Sequence, residues 1–117
     1  RVAICGCGDT VVVGAPHEDV NADVDAGSAY IFTHANGNWT EQATLNGSGS
    51  QYLGFFGTSV SISSDGNTAI VGAYKEWTDT ASYGGSSYIF TRSNGNWTEQ
   101  ATLNGSGSQY LRMGIPP

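Results

Sequence analysis

Hydrophobic residues occur in four short runs along the first half of the chain, and four matching runs follow in the second half. Some runs are apolar at successive positions, as in Val11-Val12-Val13 and Tyr30-Ile31-Phe32. Short runs of β-branched and aromatic residues between turn signals are typical of β-strands. We predict eight strands: Val2–Cys5, Thr10–Ala15, Ser28–Thr33, Trp39–Leu45, Ser59–Ser63, Thr68–Ala73, Ser86–Arg92 and Trp97–Leu103.

The turns between these runs predict antiparallel hairpins. Asn36-Gly37 and Asn94-Gly95 separate the third and fourth strand of each half, and Asn-Gly is a strong signal for a two-residue hairpin turn. Gly6, Gly8 and Asp65-Gly66 mark the turn between the first and second strands. The chain is therefore predicted to be all-β.

The face pattern distinguishes central from outer strands. Val11-Val12-Val13 is apolar on both faces, so the second strand of each half should be covered on both sides. In the fourth strand, strict alternation would place Trp39, Glu41, Ala43 and Leu45 on one face. We expect that strand to be a half-exposed outer strand with polar residues along the edge.

An internal repeat organises the whole chain. The eighteen letters NGNWTEQATLNGSGSQYL occur at Asn36–Leu53 and again at Asn94–Leu111, an offset of 58 residues (36 to 94). The same offset aligns the remaining strands without a gap. We therefore divide the chain into two repeats, residues 1–58 and 59–117, a period that indicates propeller blades or a similar array.

Sheets that are apolar on both faces need a neighbour on each side. Two stacked sheets cover one face of each other and leave two apolar faces bare, which is uncommon on monomers. Because the repeats are near copies, the bare face of one chain should fit the opposite bare face of another, giving a closed ring or an open filament. We expect the two four-stranded blades to be completed by other copies of the same chain.

Several short sequence motifs resemble those of a known family. Phe56-Gly57 followed by Gly72-Ala73-Tyr74, with Gly14-Ala15-Pro16 in the first repeat, resembles the FG-GAP repeat. Val13-Gly14-Ala15-Pro16 and Gly27–Phe32 are similar to its bacterial form. The resemblance implies a blade of a β-propeller, as in the head of integrin α subunits and in secreted microbial proteins, and an extracellular or cell-surface location. It does not fix a function, because such blades serve many roles.

The sequence departs from the family pattern in two places. The residues Leu111–Pro117 stand where Leu-Gly-Phe-Phe-Gly would begin a third repeat. The acid-rich calcium loop of the family is replaced by Ser63–Asn67, which has too few carboxylates, so the resemblance does not place calcium there.

An acidic loop in the first repeat offers another calcium candidate. Asp19, Asn21, Asp23 and Asp25 alternate like the oxygen ligands of Ca²⁺, which takes six to eight oxygens. The loop does not have EF-hand spacing, and the second repeat lacks these residues. A solvated acidic loop is the alternative interpretation.

Four triplets match the N-glycosylation pattern, at Asn38, Asn46, Asn96 and Asn104. They are two triplets that the repeat copies, and an Asn/Ser/Thr-rich chain also forms such triplets by chance. Two aromatic residues unique to the second repeat, Trp77 and Tyr83, are candidates for stacking on a sugar ring. Trp39 and Trp97 occupy identical repeat positions and are interpreted as packing residues.

The cysteines Cys5 and Cys7 leave three interpretations open. On an extended strand their side chains would lie on one face, roughly 6–7 Å apart, which is poor geometry for a bridge between them. They could be small buried apolar residues, form an intermolecular bridge, or bind a metal, although no further thiol is present and the histidines are remote in sequence.

Composition narrows the functional classes. The net charge is −6 with four basic residues, so a cationic surface for nucleic acid or anionic membranes is not available. No apolar run approaches the roughly 18 residues of a transmembrane helix, and no signal peptide is recognisable at Arg1–Cys5. Neither histidine has a nucleophile or acid at motif spacing, and we expect no catalytic residues and no enzyme activity.

These observations favour an extracellular structural or adhesive module that assembles head-to-tail from copies of itself. A lectin-like propeller that binds glycans is one alternative, and a non-catalytic fragment of a larger receptor or enzyme is another. Neither nucleic acid nor membrane insertion is expected. No cofactor is certain, and Ca²⁺ is a candidate only at the acidic loop.

Overall fold

The structure is a computed structural model that describes residues 1–20, 24–48, 54–74 and 85–103. These residues form two four-stranded antiparallel sheets, each in the strand order of the chain. Blade 1 contains β1 (Val2–Ile4), β2 (Thr10–Ala15), β3 (Ser28–Ala35) and β4 (Asn38–Leu45). Blade 2 contains β5 (Phe56–Ile62), β6 (Thr68–Ala73), β7 (Ser86–Ser93) and β8 (Asn96–Leu103). Within the described ranges no helix is long and apolar enough to cross a membrane.

The all-β prediction and the order of the strands are confirmed. The second strand of each blade has the predicted bounds, and the third and fourth differ by three residues or fewer at either end. The first strand of blade 2 begins three residues earlier than predicted, at Phe56. The two Asn-Gly hairpins also form as expected, since Asn36, Gly37, Asn94 and Gly95 all have positive φ.

A β-bulge in each fourth strand overturns the predicted face pattern. Phe32 pairs with Glu41 and Ile31 pairs with Ala43, so Gln42 is an extra residue in β4. The extra residue reverses the alternation, because directly paired residues lie on the same face. Glu41 therefore lies on the opposite face from Ala43, and the expectation of one shared face was wrong.

The core lies between the two blades. Its buried residues come from the facing sides of both sheets: Val12, Ala29, Ile31, Leu45, Phe56, Ala69, Val71, Ala73, Tyr88 and Phe90. Phe56 is fully buried and makes edge-on ring contacts with Tyr88 and Phe90 at centroid distances of 5.3 and 6.1 Å. The blades are therefore stacked face to face, as apolar sheets require.

Glycines at the contact between the blades permit this stacking. A Cβ on Gly14 would lie 2.0 Å from the carbonyl oxygen of Gly57, and a Cβ on Gly27 would lie 2.0 Å from that of Phe56. Gly57 also has a φ of 99°, which L-residues rarely adopt. The Phe-Gly of blade 2 thus packs directly on the Gly-Ala-Pro of blade 1.

Candidate functional site

Each blade has one face that no described residue covers. The open face of blade 1 carries apolar and aromatic side chains that point away from blade 2: Val2, Ile4, Val11, Val13, Tyr30, Phe32 and Trp39. Val2 and Ile4 are 70% and 58% exposed, which is unusual for residues of a packed sheet.

The open face of blade 2 is the side of its sheet that points away from blade 1. Its most exposed apolar residues are Ile70 and Leu103, with Ile89 and Ala101 half-exposed between them. A shallow groove beside Ile70 is lined by Ser61, Ile62, Ser63 and Thr68.

Equivalent positions show what covering this face changes. Val12 is fully buried against blade 2, whereas its repeat counterpart Ile70 is 43% exposed. Leu45 is 3% exposed, whereas its counterpart Leu103 is 48% exposed. The two blades therefore present the same type of apolar surface, once covered and once open.

A polar clamp fixes the contact between the blades. The guanidinium of Arg92 in blade 2 stacks on the ring of Trp97 at 5.2 Å and donates to Oε1 of Gln42 and Oγ1 of Thr10, at 3.1 and 3.3 Å, in blade 1. The indole Nε1 of Trp97 donates to the same Gln42 oxygen at 2.8 Å. Gln42 reaches both donors because it is the bulged residue of β4.

Blade 1 carries the counterpart of this clamp on its open face. His34 occupies the repeat position of Arg92 and stacks on Trp39, the counterpart of Trp97, at a centroid distance of 4.9 Å. Blade 2 in turn carries the counterparts of the acceptors, Gln100 and Thr68, on its own open side. One open face thus holds a prearranged donor pair and the other holds the matching acceptors.

A second cross-blade contact lies at the end of β4. The backbone N–H and the hydroxyl of Ser48 donate to the two carboxylate oxygens of Glu99, at 2.8 and 2.6 Å. Gly47 packs on the ring of Tyr88, since a Cβ there would lie 2.5 Å from a ring carbon. The counterpart of Glu99 is Glu41, which is exposed on the open face of blade 1.

The structure corrects the geometry expected for the two cysteines. Cys5 and Cys7 are joined by a disulfide, with their Cα atoms 5.1 Å apart. The expected separation on an extended strand was wrong, because β1 ends at Ile4 and the pair lies in a tight turn in which Gly8 has a φ of 80°. A turn brings Cα atoms within the range that a disulfide spans.

The same turn in blade 2 is closed by hydrogen bonds instead. Ser63 and Asp65 are the repeat counterparts of Cys5 and Cys7, and the Ser63 hydroxyl donates to Oδ1 of Asp65 at 2.6 Å. The backbone N–H of Asn67 donates to the same oxygen at 2.9 Å. The hydrogen bond from Ser63, followed by that from Asn67, holds the pKa of the Asp65 carboxyl below its ordinary value.

The acidic loop is tied at its base. The backbone N–H of Asp25 donates to Oδ1 of Asp19 at 3.0 Å, and His17 lies 3.8 Å from the Asp25 carboxylate. The other two calcium candidates, Asn21 and Asp23, lie outside the described residues. Calcium binding at this loop stays a prediction.

Tyr30 connects the acidic loop to the open face of blade 1. Its hydroxyl donates a hydrogen bond to Oε1 of Glu18. This bond, together with burial and the charges of Glu18 and Glu41, raises the pKa of Tyr30 to about 12. The phenol therefore keeps its proton to a higher pH than an ordinary tyrosine does.

The glycosylation candidates fall into different environments. Asn38 and Asn96 are exposed at the starts of β4 and β8. The side-chain nitrogen of Asn46 donates to the carbonyl oxygen of Gly27 at 3.2 Å and to the hydroxyl of Ser28 at 2.8 Å. Asn104 lies outside the described residues, as do the ligand-binding candidates Trp77 and Tyr83.

Sequence reasoning missed the polar clamp. Gln42 and Arg92 are fifty residues apart, and neither belongs to a motif. The available signal was the difference between the repeats: within two nearly identical strands, His34 is replaced by Arg92. Such a difference indicates that the two positions face different environments.

A family model described as FG-GAP repeat matches residues 2–32 and 39–90. These segments make up most of the 117-residue chain. They include the Phe-Gly of blade 2 and the Gly-Ala of blade 1, which pack on each other at the blade contact, and also the Gly-Ala of blade 2. No curated protein matches the chain. With two propeller-type blades that meet through Phe56-Gly57 and Gly14-Ala15, the chain belongs to the FG-GAP repeat family.

Proposed function

We propose that this chain is a structural repeat module that associates head-to-tail with copies of itself. The open face of blade 2 of one copy packs on the open face of blade 1 of the next. The contact reproduces the one between the two blades within the chain. Such a heterologous contact closes into a ring or continues as a filament, depending on the rotation between successive blades.

The observation that carries the proposal is the exposure of residues whose repeat counterparts are buried. Ile70 and Leu103 are exposed on one open face, while Val12 and Leu45 are buried at the same positions of the internal contact. Covering one large apolar side chain contributes about 1.5–3 kcal/mol. Both open faces therefore gain from a partner with the shape of an FG-GAP blade.

Polar groups would set the register of the contact. The stacked pair of His34 and Trp39 corresponds to the pair that holds blade 2 on blade 1, and Gln100 corresponds to the acceptor Gln42. Glu41 corresponds to Glu99, which accepts two hydrogen bonds from the end of β4. A copy docked in another register would leave these groups without partners.

The size of a blade face bounds the affinity. Four strands at about 4.8 Å spacing and six residues at about 3.3 Å rise give a face of roughly 400 Å². Two such faces total about 800 Å², which is below the roughly 1,200–2,000 Å² of stable protein interfaces, and we therefore expect weak association with dissociation constants in the micromolar range or above.

We place the module outside the cell, in an adhesive or scaffolding role without catalysis. The Cys5–Cys7 disulfide supports this location, because disulfides persist in oxidising compartments. The family resemblance points the same way. The partners proposed are copies of the chain, and the structure offers no described feature that favours the glycan-binding alternative.

Sedimentation velocity over a concentration series from about 1 to 500 μM tests the proposal. We expect the sedimentation coefficient to rise with concentration for the unchanged chain. The Ile70→Asp and Leu103→Asp variants should each shift this rise to at least about tenfold higher concentration, since a carboxylate would be buried without a partner.

The matched control is Asn38→Asp, which adds the same charge at an exposed hairpin position. Asn38 pairs with Ala35, so its side chain lies on the opposite side of the sheet from Trp39 and the open face of blade 1. This variant should associate like the unchanged chain. Circular dichroism and thermal unfolding show whether each variant keeps the fold. A folded monomer at every concentration, or equal association of Ile70→Asp and Asn38→Asp, would refute head-to-tail stacking.

A further inference from the structure

The turn that carries the disulfide also holds a carboxylate within reach of both sulfurs. Oδ1 of Asp9 lies 3.1 Å from Sγ of Cys7 and 3.9 Å from Sγ of Cys5. The three candidate ligand atoms, one from each residue, all lie within 4.8 Å of one another. The two sulfurs are bonded to each other in this state. After reduction, side-chain rotation can separate them to the roughly 3.5–4 Å of two thiolates on one ion, since metal–sulfur bonds are about 2.3 Å, with the Asp9 carboxylate already beside them.

The carboxylate is held by neighbours that belong to both blades. The hydroxyl of Thr10, which is buried, donates to Oδ1 of Asp9 at 2.9 Å. The same hydroxyl accepts a hydrogen bond from Nη2 of Arg92 at 3.3 Å. Carboxylates that bind metals are themselves oriented by hydrogen bonds of this kind, and such partners strengthen binding.

Charge and exposure also suit a metal ion. Cys5 is buried while Cys7 and Asp9 are exposed, so an ion could enter from one side and keep one open position. A Cβ on Gly66 would lie 3.1 Å from Sγ of Cys7 and 3.0 Å from Nη2 of Arg92, which places the guanidinium beside the sulfur. Two thiolates and one carboxylate on a divalent ion leave one negative charge, and Arg92 offsets it.

We propose that the reduced chain binds one divalent zinc-type ion through Cys5, Cys7 and Asp9. In the oxidised chain the same two sulfurs form the disulfide and the site does not exist. A dithiol reductant converts one state to the other: it gives two electrons and two protons to the disulfide and becomes a disulfide itself. Each protein thiol then releases its proton to solvent when it binds the ion.

Blade 2 provides a natural control for this site. Its corresponding turn has Ser63, Asp65 and Asn67 in place of the three ligands, yet it keeps the same backbone hydrogen bonds and the same positive φ at its glycine. A triple variant, Cys5→Ser, Cys7→Asp and Asp9→Asn, therefore converts the turn to one that this chain already folds. It removes both thiols without leaving the turn open.

Titration with Cd²⁺ and Co²⁺ tests the proposal. The full chain is reduced with a phosphine, which becomes a phosphine oxide and brings no competing thiol. The thiolate-to-metal absorption should grow and saturate at one ion per chain. The oxidised chain and the triple variant should give no such absorption, and Asp9→Asn should bind at least about tenfold more weakly than the unchanged reduced chain.

Three results would overturn the site. Equal affinity of the reduced chain and the triple variant would mean that the ions bind elsewhere. Equal affinity of Asp9→Asn and the unchanged chain would remove Asp9 from the ligands. Saturation at one ion per two chains, with a dimer in sedimentation, would replace the site with a bridge between copies.

Discussion

The indole of Trp97 and the side-chain amide of Gln42 join the two blades through a hydrogen bond of 2.8 Å. Gln42 is the extra residue of the β4 bulge, and the bulge turns its side chain toward blade 2. Its Oε1 also accepts a hydrogen bond from Arg92 at 3.1 Å. One irregularity in an outer strand thus supplies the acceptor for two donors of the neighbouring blade.

We predict that Gln42→Ala lowers the free energy of unfolding by about 1–2 kcal/mol, because Trp97 and Arg92 both lose their acceptor. Urea unfolding below the concentration of self-association measures this change. The matched variant is Gln100→Ala, at the same bulge of blade 2, where the side chain donates to the hydroxyl of Thr98 within its own strand.

Gln100→Ala should change the stability of the dilute chain by less than about 0.5 kcal/mol. If head-to-tail stacking operates, the same variant should weaken association, since Gln100 corresponds to the acceptor of the internal contact. Equal losses of stability in the two variants would show that the bulged glutamine acts within its own blade rather than between blades.

The fold could be predicted from the sequence largely because local signals and the repeat agree. Thr10–Ala15 and Thr68–Ala73 each follow turn residues and contain β-branched residues, so their bounds were correct. The prediction that Glu41 and Ala43 share a face was wrong because of a β-bulge. A bulge depends on how two strands pair, and the sequence of one strand does not reveal it. The disulfide was missed because Cys5 was assigned to a strand that ends one residue earlier.

The contacts between the blades were the least predictable part of the molecule. That two apolar faces must meet followed from Val11-Val12-Val13 and its copy. That Arg92 would reach Thr10, or that Ser48 would donate to Glu99, depends on the rotation of one blade relative to the other. This rotation is a tertiary property that strand patterns do not specify.

Substitution by alanine should destabilise the chain more at Gly14, in the Gly-Ala motif of the first repeat, than at its counterpart Gly72. A Cβ on Gly14 would lie 2.0 Å from a backbone carbonyl oxygen of blade 2, which cannot move without separating the blades. We predict that Gly14→Ala costs about 3 kcal/mol or more in the free energy of unfolding, at or beyond the upper range of overpacking. Thermal and urea unfolding measure the loss.

The counterpart substitution, Gly72→Ala, is the control. Its Cβ would meet the hydroxyl oxygen of Ser59 at 2.3 Å, and a serine side chain can rotate away. We expect a loss of no more than about 1 kcal/mol, and the double variant with Ser59→Ala should recover part of it. A larger loss from Gly72→Ala than from Gly14→Ala would contradict the packing of the Phe-Gly segment on Gly14.

Tyr30 should titrate above the ordinary tyrosine range. Its pKa is raised to about 12, first by the hydrogen bond to Glu18 and then by burial and nearby carboxylates. Because the folded-state pKa exceeds the ordinary value of 10.0, the bond contributes its full stability below pH 10 and loses it as pH rises through about 12. Phenolate absorbance, taken as the difference between the unchanged chain and Tyr30→Phe, follows this residue.

Glu18→Gln should return the pKa of Tyr30 toward 10.0, since it removes the charged acceptor and keeps the length of the side chain. Because its folded-state pKa then lies close to the ordinary value, this variant should lose less stability between pH 10 and about 12 than the unchanged chain. Titration of Tyr30 at the same pH in both proteins would exclude Glu18 as the cause of the shift.

Glycan attachment should distinguish the asparagines by their hydrogen bonds. The side-chain nitrogen of Asn46 donates to two acceptors, Gly27 and Ser28, and a glycan on that nitrogen would remove one of its two hydrogens. Asn38 and Asn96 are exposed at the starts of their strands. When the protein is secreted from a glycosylating host, we therefore expect peptide mass spectrometry of the folded fraction to find glycans on Asn38 and Asn96 and none on Asn46.

The Asn46→Gln variant should leave the total glycan mass unchanged, whereas Asn38→Gln should lower it by one glycan. Full occupancy of Asn46 in folded material would mean that its two hydrogen bonds are dispensable for closing the end of β4.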